Sequence, residues 1–150
     1  MAVTANQLIQ AMNPGHKIGI PVAAETVIYA GTLVFYERTS GAGEGYALGD
    51  DDGGNNNFAG IACAKCDNND DDTGDKTAGD KTVEVFTDGE FVLEGTGFSQ
   101  AIVGDRAYAT DNYTVTADST SATYIGTFVE YISATKMRVK IDVQTPAPTN

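Results

Sequence analysis

The spacing Cys63-Ala64-Lys65-Cys66 is one pattern in this chain that could do chemistry. A structural zinc site needs four ligands, and the chain offers no second cysteine pair and a single histidine, His16. A redox motif of this spacing belongs at a helix start beside a βαβ unit. Here it follows an apolar strand-like run and precedes an acidic loop, so it reads as two reduced thiols at a strand end. His16 stands beside Pro14-Gly15, in a stretch with no rigid element to hold a proton-transfer group. There is no Gly-x-Ser-x-Gly elbow and no phosphate-binding glycine loop. Glu84, Glu90 and Glu94 could pair as glycosidase carboxylates, but the alternation around Val83 and Val85 makes Glu84 an ordinary solvent-facing residue. The expectation is a protein with no catalytic residues and no cofactor, not an enzyme.

The acidic stretches invite a calcium reading. An EF-hand loop begun at Asn69 puts Asp71 and Thr73 at its third and fifth positions, Gly74 at its sixth and Asp80 at its twelfth. The first ligand is Asn, the last is Asp rather than Glu, and no helices flank it, so a solvated acidic loop is the better reading. Residues 50–80 hold nine acids and two lysines. Charge at that density is expected in solvent, projecting from one face.

The whole chain of 150 residues carries 21 acids against 9 bases, a net charge of −12. Nucleic acid and anionic membrane would repel it, so neither is an expected partner. No apolar run exceeds four residues, far short of a membrane-spanning helix. Residues 1–15 lack Lys, Arg and a continuous apolar stretch, which predicts no secretory signal peptide.

Strand signals recur about every ten residues with turn residues between them, and no segment sustains a 3.6 period. The fold class is therefore all-β: a small barrel or sandwich, with an extended N-terminal arm and long acidic loops. Val83/Val85 and Phe91/Leu93 flank Asp88-Gly89, which predicts a hairpin with a type I′ turn. Met137, Val139, Ile141 and Val143 alternate with Lys136, Arg138, Lys140 and Asp142, so the last strand buries one face. The organisation is an arm over residues 1–26, one β-domain over 27–143 and a disordered tail over 144–150. Asn13-Pro14-Gly15 and Pro21 prevent a long helix in the arm. It reads either as a loose segment with sticky side chains, suited to adding a strand to a partner's sheet, or as an edge strand on its own domain.

A weak internal echo is present. Gly31-Thr32-Leu33-Val34-Phe35 precedes Phe58-Ala59-Gly60-Ile61-Ala62, and Gly104-Asp105-Arg106-Ala107-Tyr108 precedes Tyr124-Ile125-Gly126-Thr127-Phe128. In each half an aromatic residue stands two positions before a glycine.

In order and spacing, Ala30-Gly31-Thr32-Leu33-Val34, Phe58-Ala59-Gly60-Ile61-Ala62, Val83-Glu84-Val85 with Asp88-Gly89-Glu90-Phe91-Val92, Gly104-Asp105-Arg106-Ala107-Tyr108 and Ile125-Gly126-Thr127-Phe128-Val129 resemble the capsid decoration, or cement, proteins of tailed bacteriophages. The two long acidic loops depart from that family's usual pattern. The resemblance implies a protein made in the host cytoplasm that sits on the outside of the virion head. It would be a homotrimer at three-fold and quasi-three-fold positions, bridging subunits of the major capsid protein. The arm would lie on the shell, and the side chains expected to meet it are Val3, Leu8, Ile9, Met12, Pro14, Ile18 and Ile20.

Two other readings stay open at this point. One is a head-surface fibre or adhesin module binding a host ligand through its loops, with Tyr46 and Tyr113 as the aromatic candidates. The other is a metal-dependent β-domain using Asp67–Asp80.

Overall fold

The computed structural model describes residues 2–39, 44–69 and 77–143, with the backbone but not the side chains of Gln10–Pro14. The expected tail and the centre of the acidic loop, Asp70–Asp72 and Asp75 included, lie outside the described residues.

The fold is all-β. In chain order the strands are β1 (Gln10–Pro14), β2 (Lys17–Pro21), β3 (Val27–Ile28), β4 (Leu33–Tyr36), β5 (Ala47–Leu48), β6 (Asn57–Ala62), β7 (Cys66–Asp67), β8 (Thr82–Phe86), β9 (Asp88–Glu94), β10 (Arg106–Ala109), β11 (Val115–Thr116), β12 (Thr123–Ser133) and β13 (Lys136–Asp142). They form a six-stranded sheet ordered β1-β9-β13-β12-β10-β11, a five-stranded sheet ordered β2-β8-β6-β4-β5, and a small pair β3-β7. Both large sheets are antiparallel and open, so the chain makes no closed barrel.

One core lies between the sheets. Leu33, Phe35, Phe58 and Ile61 of the five-stranded sheet meet Phe91, Ile125, Phe128, Met137, Val139 and Ile141 of the six-stranded one. The other face of the five-stranded sheet is buried too, with Val34, Ala59, Ala62, Val83 and Val85 packed against Ile28 and Cys66 of the β3–β7 pair. That double burial explains why Phe58–Ala62 reads as a continuous apolar run rather than an alternation. The alternation of β13 matches its place as a sheet strand with one wet face.

The expected hairpin at Asp88-Gly89 does not form. β8 pairs with β2 and β6, whereas β9 pairs with β1 and β13, so the chain changes sheets at Thr87. Asp88 and Gly89 continue β9 as ordinary ladder residues opposite Asp142 and Ile141. Phe86 and Phe91 meet across the corner with ring centroids 5.4 Å apart, so the aromatic contact that a hairpin would make is kept although the strands part.

The internal echo is a structural duplication. The first half stacks as β5-β4-β6-β8-β2 and the second as β11-β10-β12-β13-β9, the same order in the same chain sequence. Gly60 faces Val34 and Gly126 faces Ala107, each beside a register shift. A Cβ at Gly60 would collide with the Phe86 carbonyl oxygen, and one at Gly126 with that of Lys140. Both glycines therefore let a third strand close on the bulged pair. The aromatic pairs match as well: Phe35–Phe58 and Tyr108–Tyr124 are each 6.1 Å apart and edge-on.

The loop at residues 50–57 is not fully solvated, contrary to the charge-based expectation. Asp52–Gly54 forms a 3₁₀ turn, and Asp51 and Asn56 are buried. Asn56 earns its place by hydrogen bonding: its Nδ2 donates to the Asp50 carbonyl and its Oδ1 accepts from the Arg38 N–H. The Thr123 hydroxyl donates to the Asn56 carbonyl, tying this loop to the second half.

Candidate partner-binding site

The segment expected to be an arm divides at Gly15. Beyond it, β2 pairs along β8 over Lys17–Pro21, and Ile20 is 2% exposed inside the second core with Val22. Ile20 is therefore a core residue, because its register opposite Val83 points it inward. Ile18 stays partly exposed on the same strand. The arm boundary at residue 26 thus marks no change in packing.

Residues 2–14 form a strap over the outside of the body. None of the side chains of residues 2–9 is buried. Polar clasps hold it instead. The Val3 N–H donates to Asn112 Oδ1 (3.0 Å), and Asn112 Nδ2 donates to the Val3 carbonyl (3.0 Å), a side-chain imitation of a ladder pair. Asn6 Oδ1 accepts from the Ala30 N–H, and the Gln7 N–H donates to the Ala30 carbonyl. The strap then joins the six-stranded sheet as β1, pairing Gln10 with Val92 and, after a bulge, Pro14 with Gly89. The corner is fixed by His16, whose N–H donates to Asp88 Oδ1 and whose ring nitrogen lies 3.0 Å from Asp88 Oδ2. That hydrogen bond raises the His16 pKa and lowers that of Asp88.

Between strap and sheet are two neighbouring hollows of about 480 and 340 Å³. Leu8, Ile9, Val92 and Leu93 wall the larger, and Val3 and Thr114 help wall the smaller. Glu94 and Tyr113 belong to both, with the Tyr113 hydroxyl donating to the Glu94 carboxylate. Leu8 is fully exposed. Of the residues expected to meet a partner, Val3, Leu8 and Ile9 are brought together here, and Ile18 and Ile20 are not. The side chains of Met12 and Pro14 lie outside the described residues. Val92, Glu94, Tyr113 and Lys136 were not singled out by the sequence as one site, because they come from two separate strands and a turn.

The free sheet edges are guarded. β1 carries a bulge and Pro14, β2 carries Lys17 and Pro21, β11 has two residues, and the two-residue β5 is itself bridged to Val22 through Ala47. Proline, lysine, bulges and shortness are the devices that discourage strand addition. Recognition by this face therefore rests on side chains more than on an open ladder.

The chemistry considered at the outset does not converge. Glu84 lies 3.8 Å from Lys17, Glu90 3.2 Å from Arg138, and Glu94 holds Tyr113. Burial raises the pKa of both Cys63 and Cys66, the opposite of an activated thiol. Tyr46 lies in contact range of Gly79, and Tyr113 is half-buried in the groove rather than displayed. Among the described residues no group of three or more metal-ligating side chains converges. The chain matches no family model, no curated protein and no solved structure.

Proposed function

We propose that this protein works by adhesion, as a structural decoration protein on the outer surface of a phage head that stabilises contacts between major capsid protein subunits as a trimer. The observation that carries the reading is the strap: an uncharged, partly apolar segment laid on the outside of a compact β body, with Leu8 wholly in solvent beside an apolar groove. A fully exposed leucine beside such a hollow has a use when a partner covers it. The ordered motifs of the sequence support the family assignment, and the surplus of acids suits a crowded particle surface that must remain soluble.

Mixing the purified chain with expanded heads that lack a decoration protein tests the reading. Co-sedimentation with the heads, and added density over local three-fold axes in particle images, are the expected results. A protein that stays in the supernatant at micromolar concentration would overturn it.

A further inference from the structure

We infer that the groove beneath the strap takes a protein segment presenting an apolar side chain next to a lysine or arginine. This names the contact chemistry of the function proposed above and rests on that reading for its first test.

Three observations converge on one end of the six-stranded sheet. The two hollows adjoin, and their shared wall is Glu94 with Tyr113. Four large apolar side chains are more than a third exposed among the described residues, and three of them are here. Leu8 stands at the mouth of the larger hollow. Tyr131 and Ile132 lie at the end of β12, across β13 from Leu93 and Glu94, since Tyr131 and Leu93 both pair with Met137. Exposed apolar side chains thus stand on both sides of β13 at this end of the sheet, which suits a macromolecular contact more than a small ligand.

Charge then selects the occupant. The chain carries −12, so an acidic segment approaches this groove against repulsion and a basic one is drawn to it. Lys136 is exposed on the rim, whereas Glu94 is half-buried in the wall and held by Tyr113. A fixed, partly desolvated carboxylate between two apolar hollows is complementary to a cation flanked by apolar groups.

Two measurements on the full chain test this. In the first, Leu8→Ser and Glu94→Gln are compared with wild type for binding to undecorated heads, with Lys140→Ser on the outer face as control. Gln keeps an acceptor for Tyr113 while removing the charge. Leu8→Ser is expected to weaken binding about tenfold, and Glu94→Gln about fivefold with an effect that shrinks as salt rises. If wild type binds heads and both groove variants bind equally well, the inference is wrong and the decoration function stands. In the second, the ¹⁵N-labelled chain is titrated with acetyl-Gly-Leu-Arg-Gly-amide and with its Leu-Glu counterpart. Amide shifts confined to residues around Leu8, Leu93, Glu94 and Tyr113, larger for the Arg peptide, support the groove even if heads are not bound. No shift at millimolar peptide, or equal shifts with both peptides, overturns it.

Discussion

Asn112 grips Val3 from both sides, donating to its carbonyl and accepting from its N–H, both at 3.0 Å. Its own carbonyl accepts from the Leu33 N–H at 2.8 Å. One buried side chain in the turn between β10 and β11 thereby ties the N-terminal strap to the second half of the duplication, while its backbone reaches the first.

Replacing that clasp should free the strap without unfolding the body. Asn112→Ala removes both bonds to Val3 and is expected to cost about 1–3 kcal/mol. Native-state hydrogen exchange should show the Val3 and Gln7 amides losing protection while β6, β9, β12 and β13 keep theirs. Equal loss in strap and core would mean that the strap is part of the global folding unit.

The cut point for a strapless protein follows from burial. Deleting residues 2–14 removes one edge strand and, over residues 2–9, side chains that are at most partly covered, so circular dichroism should show a folded β protein that melts a few degrees lower. Deleting through Pro21 also removes β2 and Ile20, a fully packed core residue whose loss alone costs about 2–5 kcal/mol. The longer deletion is expected to be unfolded or aggregated. If both truncations melt alike, β2 is not the structural edge described.

The duplication makes a paired prediction. Gly60→Ala and Gly126→Ala each force a methyl group into a neighbouring strand's carbonyl. Both should destabilise by about 2–4 kcal/mol in denaturant titrations. A tolerated alanine at either position would remove the physical basis of the equivalence.

How much of this was legible in the sequence depends on whether a feature is local. The alternation of Met137 to Ile141 shows the core face of β13 directly, because a pleated strand exposes its period. Gly60 and Gly126 were visible as an echo because a close strand approach admits no other residue. Asp88-Gly89 misled, since two alternating runs around a turn dipeptide look the same whether the strands pair with each other or part into separate sheets. Ile20 and Leu8 are both aliphatic residues in one proline-broken segment, and only the register against β8 buries the first. The groove was illegible because Glu94, Tyr113 and Lys136 converge through tertiary packing.

Asp51 should make the fold respond to acid in an unusual direction. The residue is 3% exposed, and Oδ2 has no hydrogen-bond partner among the described residues. Burial first, then the nearby charges of Asp50 and Asp111, push its carboxyl up to about 6, against the backbone N–H groups of Gly53 and Asp51 that favour the ionised form. The folded-state value lies above the unfolded one, so the fold prefers protonated Asp51. That stabilisation is complete below about pH 4 and is lost as pH rises through 6. Between pH 7 and 5 the contribution of this residue grows by about 1 kcal/mol. Most carboxylates act the other way on acidification. Asp51→Asn puts a neutral isostere in the same place, so it should stabilise the protein at pH 8 by about 1–2 kcal/mol and flatten the stability profile between pH 5 and 7. Chemical denaturation at half-unit pH intervals reads both effects. A profile that keeps its slope in the Asn variant would assign the titration to another group.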